Sequence, residues 1–549
     1  MPRYIKVDQK DNIVVALTDL EEGLSIEMDS TNIHIQEHIK AKHKFALKDF
    51  DSGDEIIMYG VLVGNATGPI KKGCGITVDN VKHASAAYGS SKEKYHWTPP
   101  DISKYKDKTF MGYHRKDGSV GTSNNWLVIP LVFCENRNID ILEGLLVKSL
   151  GYGAKKDFAV DVNSLINKYR SGASDEEIYD TPIISSYEEM TENRVFQNID
   201  GIKFLRHDGG CGGTRQDSEM LCRLLAGYIV HANVAGATIL SLGCQHAQIS
   251  ILKEAIQEKD PKFSKPLYFI EQQKSGSQQK LIEEAIKHTF VGLAQANQAT
   301  RKPAPLNKLV LGLECGGSDG FSGISANPSL GYASDLLVAL GGTTVLAEFP
   351  ELNGVEQELI NRSKTGALGR KFSQLMDAYS QKATAVGSGF ESNPSPGNIK
   401  DGLITDAIKS AGAAKKGGSS PITDVLDYGE KVTRPGLNLL CTPGNDVEST
   451  TGLAGSGCNV IVFTTGLGTP TGNPVAPVIK VSSNTTLFER MNDIIDVNAG
   501  TVINGGDSIE SMGEKLLDHI IEVASGTITV KAELKGQHDF IPWKRGVSL

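Results

Sequence analysis

The sequence lacks several features that mark whole classes of protein. No uninterrupted apolar run reaches the roughly 18 residues that a membrane-spanning helix needs, so we expect a soluble protein without a membrane partner. The N-terminal stretch carries charges where a signal peptide has its apolar core, which predicts a cytoplasmic location. Lys and Arg number 56 against 65 Asp and Glu, and this net charge of −9 without a dense basic tract argues against a nucleic-acid partner.

Cysteines and nucleotide-binding motifs are also scarce. Eight cysteines in 549 residues are too few for a disulfide scaffold, so we expect reduced thiols. None of the glycine-rich strings matches a dinucleotide fingerprint or a phosphate-binding loop with its Lys and Ser/Thr. These absences disfavour an enzyme that uses a nucleotide.

Apolar runs and turn signals divide the chain into three predicted regions. In residues 1–98, short runs such as IVVALTDL and EIIMYGVLVG alternate with turn strings, which predicts a small β-rich domain. The charged string SSKEKYHWTPPDISKYKDKT predicts a linker. Beyond it, buried strands are predicted by the apolar runs NWLVIPLVFC, GATILSLGC, KLVLGLECGG, TTVLAEFP and NVIVFTTG, and amphipathic helices by DSEMLCRLLAGYIVHAN and QQKLIEEAIKHTFVGLAQAN. This alternation predicts an α/β fold with a parallel sheet in two catalytic domains, 99–258 and 259–549. Residues 412–429, rich in Gly, Ser, Pro and Lys, are expected to form a mobile excursion.

Glycine-rich strings surround polar or sulfur-bearing residues after several of the predicted strands. They include HDGGCGG, GCQHAQ, ECGGSDGFSGISANPSLG and TPGNDVESTTGLAGSGC. Glycine lets a ligand approach the backbone closely, and loops that follow parallel strands are where such folds bind ligands. We therefore expect these loops to form the walls of a binding site.

Some of these strings resemble a known family. GYHRKDGSVGT, ECGGSDGFSGISANP and FTTGLGTPTGNP are similar to strings of the altronate and galactarate dehydratases, and HKFAL with GDEIIMYG is similar to the SAF domain that opens altronate dehydratases. The resemblance implies a SAF-like N-terminal domain and a lyase that removes water from a sugar acid. The implied reaction converts D-altronate to 2-keto-3-deoxy-D-gluconate in hexuronate catabolism, with an iron or manganese requirement.

Alternatives to that activity stay open. Where altronate dehydratases have a histidine-rich string, this chain has CGITVDN at residues 74–80, which leaves galactarate dehydration and sulfolactate sulfo-lyase activity as alternative functions. A sugar-acid-binding protein without catalysis is a further alternative. In each dehydratase hypothesis the small-molecule partner is a sugar acid. The sequence is also compatible with a homo-oligomer.

Three cysteines are candidate metal ligands. Cys211, Cys244 and Cys315 lie on separate glycine-flanked strings and would meet only through the fold. Their thiolates would suit Fe(II), with Mn(II) as an alternative metal, either as a mononuclear site or as an iron–sulfur cluster. The competing interpretation is that these are small buried side chains that fill the packing at strand ends.

Three residues are candidate catalytic groups. His207 in RHDGGCGG could act as a base or a metal ligand, or it could be a loop histidine satisfied by backbone groups. His43 and the substrate-binding candidate Lys44 match the family string HKFAL and would reach a substrate if the small domain closed as a lid, unless His43 packs inside that domain. Glu448 could be an acid, a base or a metal ligand, or simply an exposed loop carboxylate.

The remaining candidates would bind the substrate. An arginine can hold a carboxylate through two hydrogen bonds, and hydroxyl and amide groups suit a polyhydroxylated chain. The alternative is local turn chemistry, in which the same polar side chains bond nearby backbone. The candidates are Arg115, Ser318, Asp319, Asn327, Thr464, Thr465 and Thr469.

Overall fold

A computed structural model of the chain describes residues 3–28, 31–90, 95–153, 158–186 and 194–548. The predicted linker lies partly outside the described residues, because it includes residues 91–94. Among the helices that are described, none combines the length and the apolar content required to cross a membrane.

The N-terminal region is built from short antiparallel strands. They form sheets in the orders β1-β2-β5-β8, β3-β4 and β6-β7-β9, and the apolar side chains of β2 and β5 are buried between them. This confirms the predicted small β-rich domain. The strands are β1 (Tyr4–Ile5), β2 (Ile13–Ala16), β3 (Ser25–Met28), β4 (Thr31–His34), β5 (Lys44–Ala46), β6 (Glu55–Met58), β7 (Val61–Ala66), β8 (Gly75–Ile76) and β9 (Val81–Lys82).

The second region contains a parallel sheet in the order β15-β12-β16-β17, covered by helices. Every residue of β16 is buried, as expected for a central parallel strand. The elements are β10 (Thr109–His114), β11 (Val120–Gly121), β12 (Asn125–Pro130), α1 (Asn136–Leu150), β13 (Phe158–Val160), α2 (Val162–Arg170), α3 (Asp175–Tyr179), β14 (Ile184–Ser186), β15 (Gly201–Phe204), α4 (Arg215–Val230), β16 (Val234–Ser241), α5 (Ile249–Lys259), β17 (Leu267–Glu271), α6 (Gln272–Ser275) and α7 (Gln278–Ala296).

The second region ends later than the expected boundary at residue 258. That residue lies within α5, and the next strand, β17, pairs with β16 of the same sheet. Helix α7 then packs its buried Leu281, Ala285 and Leu293 in the hydrophobic core of this region. The structure therefore continues the second region to about the end of α7 at Ala296.

The third region is organised around a seven-stranded parallel sheet in the order β21-β22-β20-β19-β23-β24-β25. Together with the second region, it confirms the predicted α/β fold. The elements are β18 (Lys302–Pro305), β19 (Val310–Cys315), α8 (Ala326–Ala339), β20 (Thr343–Leu346), α9 (Glu356–Arg362), α10 (Gly366–Ala385), α11 (Pro396–Lys400), α12 (Asp406–Ala414), β21 (Ile422–Leu426), β22 (Gly436–Leu440), α13 (Asp446–Gly455), β23 (Val460–Thr465), β24 (Val478–Ser482), α14 (Thr485–Arg490), β25 (Val497–Asn498), α15 (Ile509–Ser525) and α16 (Lys531–Leu534).

The larger sheet has a topological switch point between β19 and β23. The chain passes from β19 to β20 on one side of the sheet and continues from β23 to β24 on the other side. In open parallel sheets, ligands bind in the crevice beyond the carboxyl ends of the two strands at such a point. The string ECGGSDG begins at the end of β19, and FTTGLG begins at the end of β23.

The prediction of a mobile excursion at residues 412–429 is wrong. The segment contains the end of α12 and all of β21, and β21 pairs with β22 in the larger sheet. Between them, Lys416 is only 1% exposed. The glycines and serines that suggested flexibility instead form a tight connection, which turns a lysine towards the interior.

Candidate active site

Three buried side chains with metal-binding groups meet at the carboxyl end of the larger sheet. Cys315 is the last residue of β19, and Glu348 and Glu351 lie in the turn that follows β20. The sulfur of Cys315 donates to Oε2 of Glu351 at 3.1 Å. In the part of the chain that the structure describes, this donor trio is the only group of three His, Cys, Asp or Glu side chains whose ligand atoms lie within 4.8 Å of one another.

The backbone of Glu348 is held in a strained conformation. Its φ of 65° and ψ of 62° lie in the left-handed region, which costs a residue other than glycine on the order of 1–3 kcal/mol. The backbone N–H of Glu348 donates to Oγ1 of Thr442 at 2.8 Å, and its Oε2 accepts from the backbone N–H of Cys315 at 3.1 Å. These bonds hold the carboxylate beside the cysteine in spite of the strain.

Two buried lysines balance the charge of the donor trio. Nζ of Lys416 lies 2.8 Å from the sulfur of Cys315 and 2.5 Å from Oε2 of Glu348. Nζ of Lys409 lies 2.6 Å from Oε1 of Glu351. Because all five side chains are at most 8% exposed, these ion pairs are poorly screened by water.

Further acids surround the trio and change the protonation of the cluster. Burial, with the nearby charge of Glu348, raises the pKa of Glu314 well above its usual range. Burial also raises the pKa of Asp446 to about 7. For Glu351 burial acts in the same direction, but Lys409 and Lys416 outweigh it and lower the pKa of this carboxyl group. The cluster thus holds more acidic groups than its two lysines can neutralise.

Some buried polar atoms of the cluster lack hydrogen-bond partners among the described residues. Oε1 of Glu314 and Oε1 of Glu348 are unpaired acceptors, and Nδ2 of Asn393 is an unpaired donor. An unsatisfied buried polar group costs about 1–3 kcal/mol, so these atoms fit a site that is completed by a ligand. One thiolate with two carboxylates suits a divalent transition metal such as Fe(II), Mn(II) or Zn(II), and the unpaired oxygens agree with a bound cation. The donor trio therefore fits a metal.

The three candidate cysteines are not assembled into one ligand set among the described residues. Cys315 lies in the donor trio, whereas half-buried Cys211 follows β15 and exposed Cys244 follows β16 at the edge of the smaller sheet. The two loops of the smaller sheet do touch, because the N–H of Ala247 donates to the carbonyl of Gly210 at 3.0 Å. The structure thus brings Cys315 together with two glutamates and not with the other cysteines.

His207 is buried with both ring nitrogens engaged by backbone. Nε2 donates to the carbonyl of Pro130 at 2.7 Å, and Nδ1 accepts from the N–H of Gly209 at 3.1 Å. Burial lowers the pKa of the imidazole, which is therefore neutral near pH 7. With both nitrogens in use, His207 orders the loop that carries Cys211.

His43 and Lys44 lie where the N-terminal domain contacts the third region. Nε2 of His43 donates to the carbonyl of Lys400 at 3.1 Å, and its Nδ1 has no hydrogen-bond partner among the described residues. Nζ of fully buried Lys44 donates to the carbonyl of Gly402 at 2.6 Å. The small domain is therefore docked on the catalytic region, as a lid would be.

Glu448 lies in the first turn of α13, close to the loop that follows β15. Burial and the charge of Asp208 raise the pKa of this half-buried carboxyl group. The first turn of α13 also contains Asp446, whose carboxylate approaches Gly316 so closely that a Cβ atom there would lie 2.2 Å from Oδ2. Glu448 thus lies between the loops of the two sheets.

Arg115 lies at the opposite edge of the smaller sheet. Its Nε donates to the carbonyl of Ala232 at 2.7 Å and its Nη2 to the carbonyl of Ser123 at 3.2 Å. Both carbonyls come just before strands, at the amino ends of β16 and β12. The guanidinium therefore joins two loops at the edge away from the strand ends that carry Cys211 and Cys244.

The other substrate-binding candidates cluster around the switch point and are mostly engaged within the protein. Asp319 is fully buried, and its oxygens accept from Ser483 Oγ at 2.7 Å and from Lys42 Nζ at 3.0 Å. Asn327 and Thr464 bond each other at 2.6 Å. The remaining contacts are from Asn398 Nδ2 to the carbonyl of Ser318 at 2.7 Å, from the N–H of Gly468 to Oγ1 of Thr465 at 3.0 Å, and a close approach of Thr469 to Gly317.

Sequence reasoning missed Glu348, Glu351, Lys409 and Lys416. A signal was present for the glutamates, because the string AEFPE directly follows the buried strand TTVL. Strand β20 also lies next to β19 in the sheet, beside the end that carries Cys315. The lysines gave no comparable signal, since Lys416 lies in the segment whose composition suggested mobility and Lys409 lies just before that segment, on α12.

Comparison with family models gives three matches in series along the chain. Residues 2–84 match the altronate/galactarate dehydratase SAF domain. Residues 112–297 match the second domain of D-galactarate dehydratase/altronate hydrolase. Residues 306–548 match the C-terminal domain of D-galactarate/altronate dehydratase, which contains the donor trio.

Characterised proteins match over almost the whole length. The chain is 34% identical over 552 residues to altronate dehydratase of Bacillus subtilis (strain 168), covering 100% of both chains. It is 32% identical over 550 residues to altronate dehydratase of Escherichia coli (strain K12), again covering 100% of both. It is 31% identical over 541 residues to galactarate dehydratase (L-threo-forming) of Escherichia coli (strain K12), covering 98% of this chain and 95% of the relative.

Proposed function

Because the chain belongs to the D-galactarate/altronate dehydratase family, we propose that it removes water from D-altronate and releases 2-keto-3-deoxy-D-gluconate. It is a sugar-acid dehydratase, a hydro-lyase of the altronate dehydratase type. The observation that carries the proposal is the buried donor trio, with its two lysines, beyond the carboxyl ends of β19 and β20 in the larger sheet. The proposal includes a cytoplasmic location, as expected from the N-terminal sequence.

The reaction makes defined demands on the protein. A base must take the proton from C2, next to the carboxylate, and an acid must protonate the hydroxyl that leaves C3 as water. The resulting enol then becomes the 2-keto group without any change of redox state. The site must therefore stabilise negative charge near the carboxylate while it keeps one proton acceptor and one proton donor available.

In this proposal Cys315, Glu348 and Glu351 hold a divalent cation, with Fe(II) as the first candidate and Mn(II) as the second. Such a cation supplies Lewis-acid stabilisation of carboxylate and hydroxyl oxygens. The protein contributes a water-poor pocket, the strained backbone that fixes Glu348, and the lysines that balance the excess charge. A cluster held by Cys211, Cys244 and Cys315 is disfavoured, because the described residues do not bring those sulfurs together.

His43 and Glu448 are the proposed acid–base groups. Burial lowers the pKa of His43, so the imidazole is neutral near pH 7 and its Nδ1 can accept a proton. Burial and Asp208 raise the pKa of Glu448, which favours the protonated form that an acid requires. His207 is the weaker candidate, since both of its nitrogens already bond the backbone.

The test is an assay of purified protein under anaerobic conditions. The protein is incubated with Fe(II), Mn(II) or Zn(II) and with D-altronate, galactarate or sulfolactate, and 2-keto-3-deoxy acids and sulfite are measured. We expect turnover of D-altronate that is lost on chelation and restored by one of the metals. The matched variants are Glu348→Gln, which removes a proposed ligand charge, and Glu258→Gln on α5, which leaves the donor trio unchanged.

The outcomes distinguish the alternatives. Preferential turnover of galactarate would support the second candidate substrate, which the similarity to a galactarate dehydratase favours. Release of sulfite from sulfolactate would replace the dehydratase proposal. Thermal stabilisation by D-altronate without any product under all metal conditions would instead indicate a sugar-acid-binding protein without catalysis.

A further inference from the structure

The side-chain amide of Asn393 is an unpaired donor in the charged cluster. Its Oδ1 accepts from Nζ of Lys409 at 2.8 Å, while its Nδ2 is buried without a hydrogen-bond partner among the described residues. Asn393 as a whole is half-buried, whereas Glu348 and Cys315 are fully buried. The amide nitrogen itself is buried and leaves two N–H groups unused.

Lys409 adds a third unused donor next to this amide. The lysine comes from α12, and its ammonium bonds Oε1 of Glu351 at 2.6 Å and Oδ1 of Asn393 at 2.8 Å. An ammonium group has three hydrogens, so one remains without a partner among the described residues. The ammonium of Lys409 and the amide of Asn393 thus lie side by side, and Glu351 lies between the ammonium and the sulfur of Cys315.

A glycine lies next to the amide of Asn393 and the side chain of Glu351. Gly444 lies in the loop between β22 and α13, and a Cβ atom there would be 3.8 Å from Cγ of Glu351 and 3.9 Å from both Oδ1 and Nδ2 of Asn393. The glycine therefore places no side chain between the amide and Glu351.

We infer that Asn393 and Lys409 bind the carboxylate of the sugar-acid substrate beside the donor trio. The inference rests on the proposed function, because only a carboxylate substrate requires this subsite. A carboxylate has two oxygens with several lone pairs, and it can accept from both the amide and the ammonium in charge-assisted bonds. The binding would orient the substrate with C2, the carbon that loses its proton, next to Glu351 and Cys315.

Charge balance sets a condition on this subsite. The neighbouring carboxyl groups of Glu314, Glu348, Glu351 and Asp446 repel an anion unless they are protonated or neutralised. Lys409 and Lys416 offset two of these charges, and a divalent cation at the donor trio would offset two more. We therefore expect the carboxylate to bind well only when the metal is also bound.

The test exchanges the amide of Asn393 for an isosteric carboxylate. In Asn393→Asp the unpaired N–H group becomes an oxygen, which repels the substrate carboxylate. We expect the KM for D-altronate to rise roughly 10- to 100-fold, since a hydrogen bond to a charged group is lost, while kcat changes less than about threefold. Asn393→Gln keeps an N–H donor and should recover part of the loss.

The matched control is Asn65→Asp in the N-terminal domain. Asn65 is also half-buried with one unpaired side-chain atom, but it lies on β7, outside the charged cluster. Its KM should equal that of the wild type, and thermal unfolding of both variants checks that the fold is kept. An unchanged KM in folded Asn393→Asp, or a loss in kcat alone, would overturn the inference. A wild-type protein that dehydrates no sugar acid would contradict the proposed function instead.

Discussion

At the scale of single residues, Lys416 contacts two of the three side chains that would hold the proposed cation. The ammonium of Lys416 contacts the sulfur of Cys315 and Oε2 of Glu348, and a metal bound to those atoms would occupy the same space. Lys416 must therefore move when the proposed metal binds. Its positive charge balances the donor trio in the absence of metal, and it opposes the entry of a second cation.

Two substitutions test this competition. Lys416→Met removes the competing charge and keeps the length of the side chain, so we predict that Mn(II) binds about tenfold more tightly. Glu348→Gln removes a ligand charge and should weaken binding by at least the same factor. Equilibrium dialysis of Mn(II) with detection by electron paramagnetic resonance measures both without reference to activity. Equal affinity of Lys416→Met and wild type in folded protein would refute the competition.

Lys44 gives a prediction about pH at the same scale. Its burial lowers the pKa of the ammonium from its usual value of 10.5 to about 7 in the folded protein. Between these values the unfolded chain binds a proton that the folded chain does not, so the free energy of unfolding rises with pH through this window. The penalty of burying a charged Lys44 is complete below about pH 7.

The pH dependence is measured with Lys44→Met. This variant has no proton to lose, so its stability relative to the wild type should fall as the pH is raised from 7 towards 10. Urea unfolding at several pH values gives the difference in free energy. The absolute difference also includes the lost bond to Gly402, but that bond does not alter the predicted slope. A difference that stays constant with pH would mean that Lys44 keeps its charge in the folded protein.

At the scale of secondary-structure elements, the loop before β5 makes a tight contact that docks the N-terminal domain on the third region. The carbonyl of Lys42, which has a left-handed φ of 75°, packs against both Gly320 and Gly402. The side-chain ammonium of Lys42 bonds the carboxylates of Asp319 and Asp401, each at 3.0 Å. The loop before β5 is thereby wedged between the switch-point loop and the turn that precedes α12.

Gly320→Ala should loosen this contact. A Cβ atom at residue 320 would lie 2.4 Å from the carbonyl oxygen of Lys42, so the loops must separate. We predict a loss of about 1–3 kcal/mol in the free energy of unfolding, together with faster proteolysis between the N-terminal domain and the rest. Gly68→Ala in the same domain is the control, because its Cβ would meet nothing within 4 Å and its effect should be small. Equal behaviour of the two variants would argue against a tight docking contact.

Elements with strong periodic patterns could be predicted from the sequence. The apolar runs predicted β12, β16, β19, β20 and β23, and the amphipathic stretches predicted α4 and α7, because burial of one face or of a whole strand leaves a local signature. The boundary between the second and third regions had no such signature. It depends on which sheet β17 joins, and that pairing with β16 is a long-range choice.

The site was predictable only in part, for the same reason. Cys315 could be recognised because its own string follows a buried strand. The other members of the cluster come from the turn after the neighbouring strand β20, from α12 and from the connection to β21, and no local pattern relates these segments. The three cysteines looked alike in the sequence, yet two of them lie in loops that follow strands of the smaller sheet. Which loops meet is decided by sheet order, and the sequence pattern does not encode that order directly.

At the scale of the whole molecule, the C-terminal segment connects the second and third regions. The guanidinium of Arg545 bonds both carboxylate oxygens of Asp427 at 3.1 and 2.6 Å, next to β21 in the third region. The backbone N–H groups of Arg545 and Gly546 donate to Asp217 in α4 of the second region. The segment thus joins the start of α4 to the loop after β21. It does so beside a cleft that is lined by Cys211, Trp543 and Lys544.

The contact between Arg545 and Asp427 allows a prediction of how fast the thiol of Cys211 is alkylated. Arg545→Met removes the paired hydrogen bonds to Asp427, so the C-terminal segment should detach more often and expose the loop after β15. We expect alkylation of Cys211 to become roughly three- to tenfold faster, because labelling of a covered thiol follows the population of the open form. Mass spectrometry of the labelled peptides measures the rate, and exposed Cys134 serves as the internal reference, whose rate should not change. If both cysteines accelerated together, the substitution would have destabilised the whole fold, and if neither did, the segment would not cover Cys211.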